Sequence, residues 1–319
     1  MKLTPLTKGL LADALLIIAA VAAFYAFPYD LAFLTRIVIM AILVLSIDLI
    51  LGLGGIVTLG QAALYGSGAY AAGLFAIHLS GDPLLGLAVG MLAGAAIAFL
   101  SGLLLMRAEG LTLIMLSIAV ALVLQEIANR ARDWTGGADG MRGIRMDPIL
   151  GLWRFDFIGQ TGYIYVCCVL FVVLFALKML KASPLGLMAR GIHESPARMR
   201  AIGAPVYQRR LILYTLGGAI AGIAGALAAQ ITQLVSLEVF NFSHSAEAVI
   251  MLILGGAGKL YGAIIGTVIF MVVHHLAASV DPFNWLFIIG ALVLGVVFFV
   301  PKGLLGVPTA LKRLIGGGK

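Results

Sequence analysis

Ten apolar runs take up most of the chain, at about 10–27, 31–51, 60–79, 84–106, 110–129, 160–180, 210–236, 245–256, 262–280 and 284–300. Crossing the hydrocarbon core takes roughly 20 apolar residues as a helix. Hydrocarbon offers no partner to an open strand edge, so each spanning run must close its backbone hydrogen bonds within itself. The ten-residue polar/apolar alternation of a membrane β-barrel is absent. The runs therefore predict an all-α polytopic membrane protein, one transmembrane domain over 1–319, with about ten helical segments, some short or broken. The eighth run is too short to cross a bilayer unaided. Composition agrees, because only 11% of the 319 residues are charged, against about a quarter in a soluble protein. Lys2 and Lys8 precede the first run as in a signal peptide, but the run is long for one and reads as a retained helix.

Positive charge orients the runs. With the N-terminus inside, 15 of the 21 basic residues fall on inner segments, and both termini are expected in the cytoplasm. The other six are Arg36, Arg130, Arg132, Arg142, Arg145 and Arg154. Residues 130–160 then form the longest outer loop, with Trp134 and Trp153 as candidate interface anchors. Between Lys178 and Arg210 lie seven basic residues and one acid, Glu194. That makes 181–208 an inner loop, too short for a domain and too basic to be neutral spacing.

The same loop carries helix punctuation. Ser183-Pro184 and Ser195-Pro196 each place a capping hydroxyl before proline at the first helical position. The second pair opens Ala197-Arg198-Met199-Arg200-Ala201-Ile202, and Gly203 followed by Pro205 closes it. A short helix on the inner face is expected, with Met199 and Ile202 on one side.

Catalytic chemistry finds little support. The one P-loop-like fragment, Gly258-Lys259, has Ile253 where the first glycine is needed and Leu260 where a hydroxyl is needed. His78, His193, His244, His274 and His275 make no metal-ligand pattern with Cys or carboxylates. Cys167 and Cys168 are adjacent within an apolar run and provide no disulfide framework. Neither metal nor cofactor is expected, and the net charge of +7 reflects membrane orientation rather than nucleic-acid binding. Ionisable groups within or near the spans are Asp13, Asp48, Glu126 and Glu247, and a charge in lipid costs roughly 2.5–3.5 kcal/mol on insertion scales. Such groups face a partner or a wet cavity. Asp48 either lines a pathway or caps a half-helix, and Glu247 either lines a pathway or favours a helix start. Ser117 is read as a hydroxyl bonded to its own helix. A faint repeat sets Leu53-Gly54-Gly55 against Leu254-Gly255-Gly256, each between two apolar helices. Glycine breaks at matching places in two halves point toward a transport path. Asp48, Gly54, Gly55, Gln61, Tyr65, Glu247, Gly255 and Gly256 are the candidate path residues.

Five blocks in order resemble one family. They are Leu49–Leu74 (LILGLGGIVTLGQAALYGSGAYAAGL), Leu111–Ile144 with its element Thr135-Gly136-Gly137-Ala138-Asp139-Gly140, the loop from Ser183 through Glu194 to Gly203, Ala246–Gly266, and the ending Phe298–Gly306. Together they are similar to the LivM-like permease subunits of branched-chain amino-acid ABC importers. Three positions depart from the family pattern: Arg198 and Met199 replace small alanines, and Gln61 replaces a histidine. The resemblance implies a non-enzymatic subunit of a bacterial inner membrane, carrying half the path for branched-chain or related small amino acids. It implies a second related permease subunit, two ATPase subunits and a periplasmic solute-binding protein as partners. It also implies that Glu194, Ser195, Pro196, Ala197, Arg198, Met199, Arg200, Ala201, Ile202 and Gly203 couple to an ATPase. Relatives of that family carry urea, amides or other small organic solutes, and a self-sufficient secondary transporter is the alternative outside the family.

Overall fold

A computed structural model describes residues 5–280 apart from 150, 152 and 154–158, together with 287 and 290. In chain order the helices are α1 (Pro5–Ala26), α2 (Leu31–Ile47), α3 (Gln61–His78), α4 (Pro83–Leu105), α5 (Leu111–Arg130), α6 (Arg132–Thr135), α7 (Gln160–Ala182), α8 (Pro184–Glu194), α9 (Pro196–Ala201), α10 (Val206–Thr232), α11 (Phe242–Gly255) and α12 (Leu260–Val280). The described residues contain no strand, only two isolated bridges. Among the described residues, six helical stretches are long and apolar enough to cross a membrane: Leu31–Leu53, Pro83–Leu105, Leu111–Arg130, Gln160–Ala182, Val206–Thr232 and Leu260–Ser279. The chain is an all-α, multi-pass membrane protein. Nine of the ten expected runs coincide with helices, and the tenth, 284–300, lies outside the described residues except for Phe287 and Gly290.

Two boundaries differ from the hydropathy reading for a local reason. α10 starts at Val206 rather than 210, because Pro205 occupies its N-cap position and draws Arg209 and Arg210 into the first two turns. α7 runs to Ala182, where Ser183 ends it and caps α8 through a hydrogen bond from the Gly186 amide (3.3 Å).

Small residues set the central packing. On α4 the buried positions Gly86, Gly90, Gly94, Ala98 and Gly102 recur every four residues, which places them in one row along the helix. That row meets Gly218, Gly222 and Ala226 on α10. A Cβ added to Gly222 would stand 2.2 Å from the Gly90 carbonyl oxygen, and one on Gly94 would stand 2.3 Å from that of Gly218. α3 meets α10 from another side, since a Cβ on Gly225 would stand 1.9 Å from the Tyr65 carbonyl. Lipid gives helices no hydrophobic reason to associate, so this backbone-to-backbone approach supplies the packing attraction. A second tight pair is the α11–α12 hairpin, where a Cβ on Gly255 would lie 1.8 Å from the Gly262 carbonyl.

The apolar layer also holds two interruptions. α2 continues into a π-helical turn, Asp48–Leu53, and the chain then runs without helix to Gly60. α11 has only 14 residues, about 21 Å at the α-helical rise. The preceding segment enters the layer through a 3₁₀ turn, Leu237–Phe240, whose Phe240 ring stacks on Tyr70 at 5.4 Å.

Candidate functional site

The end of the molecule formed by α8 and α9 is built from the punctuation of its sequence. Ser195 Oγ accepts the Arg198 amide (3.4 Å), α9 spans Pro196–Ala201, and Gly203 follows in the left-handed region at φ +83°. None of the residues of α9 is buried. Its Met199 turns inward onto Gly191 of α8. Ile202, on which a shared apolar face with Met199 was expected, is instead 76% exposed, because the helix ends at Ala201 and Ile202 caps it. Glu194, Ala197, Arg198, Arg200, Ala201 and Gly203 are exposed as well, while Ser195 and Pro196 are half-buried.

Beside α9 a cleft of about 660 Å³ opens toward Gly55, Ile56, Gly110 and Leu113. Glu109, in the α4–α5 turn, accepts from Arg200 Nη2 at 3.0 Å and from Arg210 Nη1 at 3.4 Å. This fork ties α9 and the start of α10 to the α4–α5 turn. The groups are mostly solvent-exposed, so the fork orients more than it stabilises.

α8 rests on the first glycine break. The His193 ring covers Gly55, where a Cβ would stand 2.8 Å from a ring carbon and where φ is +65°. Seven residues before Gly55, Asp48 is fully buried. It accepts the Gly258 amide at 2.6 Å and Lys181 Nζ at 3.3 Å, and Lys181 also donates to the Gly258 carbonyl at 3.1 Å. A Cβ on Gly52 would fall 2.3 Å from Asp48 Oδ1 and 2.5 Å from the Gly258 amide. So the two glycine breaks, Gly52–Gly55 and Gly255–Gly258, lie against each other, joined by one carboxylate and one ammonium. Gly54 packs on its own turn at the Ile50 carbonyl, and Gly256 has φ +101° at the end of α11. Nearby, Lys178 pairs with Asp13 of α1, which also accepts from Tyr261 Oη at 2.8 Å.

From the break the chain climbs into the apolar layer. The Leu59 amide donates to Ser117 Oγ at 3.1 Å, and Ser117 Oγ donates to its own Ile114 carbonyl at 2.7 Å. Ser117 thus bonds its own helix and also anchors the climbing segment. α3 then starts at Gln61, and the Ala62 amide donates to Ser245 Oγ of α11 at 2.8 Å. Tyr65 lies 6.4 Å from His244, ring to ring. Glu247 is half-buried one turn further along α11.

At the opposite end the Thr-Gly-Gly element folds as a turn. Thr135 Oγ1 donates to the Ala128 carbonyl at 2.5 Å, and Gly136, Gly137 and Gly140 have φ of +74°, +57° and +72°. Its exit pairs Met141 with Val235 (2.7 Å and 3.2 Å). The element therefore fastens the 130–149 segment to the stretch that leads into α11. Among the described residues no group of His, Cys, Asp and Glu is arranged to hold a metal ion.

The family model described as branched-chain amino acid transport system / permease component matches residues 30–315. The chain belongs to that permease family. It is similar to the high-affinity branched-chain amino acid transport system permease protein LivM of Escherichia coli (strain K12), at 28% identity over 315 residues, 90% of this chain and 72% of the relative. LivM of Salmonella typhimurium is 27% identical over 331 residues, 95% of this chain and 76% of the relative. A probable LivM of Methanocaldococcus jannaschii is 26% identical over 210 residues, 61% of this chain and 59% of the relative. No solved structure matches.

Sequence reasoning about this permease missed several groups that the fold brings together. Lys181 and Gly258 are partners of Asp48 that no spacing rule links, since 133 and 210 residues separate them from it. Glu109 was not singled out, although the fold sets it between Arg200 and Arg210. Arg36 was grouped by charge counting with the outer side and upper spans, and it sits in the sixth position of α2. His244 was set aside because it has no metal partner. The four-residue glycine row of α4 was readable from its period and was not singled out.

Proposed function

We propose that this permease forms half of the translocation path of an ATP-driven importer of branched-chain amino acids, with α9 as its contact to an ATPase. The observation that carries the reading is the placement of α9. It is a capped, exposed helix that buries no residue of its own, yet it sits on α8, whose His193 covers the first glycine break. A force on α9 therefore reaches the broken segment through rigid contacts. In this reading residues 181–208 form the cytoplasmic coupling loop, and Glu194 through Gly203 is the docking element. Residues 130–160 are the periplasmic loop that meets a solute-binding protein, with Thr135, Gly136, Gly137 and Gly140 holding its shape. Both termini lie in the cytoplasm, the membrane is the bacterial inner membrane, and a second related permease completes the path. The names of the relatives support the substrate class. Asp48, Gly54, Gly55, Gly255 and Gly256 act as the hinge of the path at its cytoplasmic side, and Gln61, Tyr65 and Glu247 stand further in. Physically, ATP binding below would shift the population between two packings of this hinge.

The test uses the complete importer in proteoliposomes. Glu194→Ala and Gly203→Val should each lower leucine uptake about tenfold, within the usual range of coupling energies, while the complex still assembles and hydrolyses ATP. Wild-type uptake per ATP in both variants would remove α9 from its role. Uptake by the permease alone, without ATPases, would instead favour a self-sufficient transporter.

A further inference from the structure

Two helices of this permease begin inside the apolar layer instead of at its surface. α3 starts at Gln61, after the segment held by Ser117, and α11 starts at Phe242, after the stretch that passes Tyr70. The Ala62–Ser245 hydrogen bond holds the two starts side by side. The positive ends of two helix dipoles thus meet in one layer, an arrangement that favours an anion at membrane depth.

The side chains in that layer point the same way. Gln61 is fully buried, and neither of its amide atoms has a partner among the described residues. Leaving such a group unpaired costs about 1–3 kcal/mol, so a purely structural role would have favoured an apolar side chain. His244 Nδ1 is likewise buried without a partner among the described residues. Arg36 is exposed although it lies within a spanning helix, and twelve residues, about 18 Å along α2, separate it from Asp48. Its positive charge is felt at Tyr65, His244 and Glu247. A cation at such depth faces water, an anion or a partner rather than lipid. Glu247, three residues after His244, is on the same side of α11 and supplies a carboxylate to the cluster, while Glu238 of the preceding 3₁₀ turn also acts electrostatically on His244.

We infer that this layer is a contact site for a zwitterionic α-amino acid, its carboxylate at the paired helix starts among Arg36, Gln61 and His244, and its ammonium at Glu247. This rests on the reading of the chain as an importer permease and adds that the path itself recognises the backbone charges of the substrate. The side chain of the amino acid is left to the apolar surroundings and is not read by these groups.

The experiment uses the complete complex of permeases and ATPases in nanodiscs without binding protein, probed with radiolabelled L-leucine by scintillation proximity. Saturable binding is expected at millimolar leucine. Unlabelled L-leucine should compete at least about tenfold better than 4-methylpentanoate or isopentylamine, each of which keeps one of the two charges. Gln61→Leu and Glu247→Gln should each weaken binding about tenfold, and Gln61→His, which keeps a polar group, should retain it. Size-exclusion profiles and melting temperatures like those of the wild type establish that the variants are folded. Absence of saturable binding, equal competition by all three compounds, or unchanged affinity in both weakening variants would overturn the inference. If the wild-type complex still imports leucine with its binding protein in any of those cases, the proposed function survives. If it does not, that reading falls first.

Discussion

Asp48 shows how one residue can carry an architectural load in a membrane. It is fully buried, and its two oxygens are taken by an amide from the α11–α12 turn and by Lys181, itself only 13% exposed. Removing one member of such a pair leaves a buried charge without compensation, which typically costs 3–5 kcal/mol. Asp48→Ala and Lys181→Met should each lower stability by about 3 kcal/mol on that basis. The double variant should cost clearly less than the sum of the two, because the second change removes the stranded charge. Thermal melting of the detergent-solubilised complex checks both statements, and additive losses would mean that the two groups are not partners in solution. The sequence offered Asp48 as a lining or a capping group. The structure places it on the Gly258 amide and on a lysine far along the chain, a partnership that depends on tertiary contact and is invisible to local spacing. Gly52 is legible only afterwards: its side chain is absent because the carboxylate occupies the space.

At the scale of elements, the helices themselves were plain in the sequence, since spanning length and backbone closure leave few other solutions. The α8–α9 loop was equally legible, because Ser-Pro starts and a glycine stop are local rules, and the helix Pro196–Ala201 lies where they put it. How the helices choose neighbours was not read, although part of the signal was present in the four-residue glycine period of α4. That row yields a graded prediction. Gly222→Ala inserts a Cβ 2.2 Å from the Gly90 carbonyl, with no flexible side chain to yield, so α4 and α10 must separate locally at about 1–3 kcal/mol. Gly222→Leu must separate them further and should abolish the monodisperse peak in fluorescence-detected size exclusion. At Gly162, where a Cβ would meet only the Ile231 Cδ1 at 3.0 Å, alanine should leave the peak unchanged. A peak for Gly222→Leu like that of the wild type would show that the α4–α10 contact is not made through these backbones.

For the whole molecule, the folded arrangement makes the charge argument on orientation sharper. The basic residues of 178–210 do not spread along a flexible loop. They sit on α7, α8, α9 and α10 at one end, with Lys178 and Lys181 turned inward to Asp13 and Asp48. Arg190, Arg198 and Arg200 remain exposed at that end, within the distance from the spans over which positive charge governs insertion. The opposite end carries Trp134, 65% exposed, and the Thr-Gly-Gly turn. Cysteine labelling in whole cells and inverted vesicles resolves the orientation. Cys167 is buried and Cys168 exposed, so both are first replaced by serine. Ile202→Cys should then react with a membrane-impermeant maleimide only in inverted vesicles, and Trp134→Cys only in intact cells. The reverse pattern would place α9 on the outer side, away from any cytoplasmic ATPase. It would thereby remove the coupling role while leaving the fold and the family untouched. Labelling at Ile202 should also fall when the ATPases are bound, because a docked helix cannot present that side chain to solvent. Protection there would tie the topology and the proposed energy source to one residue.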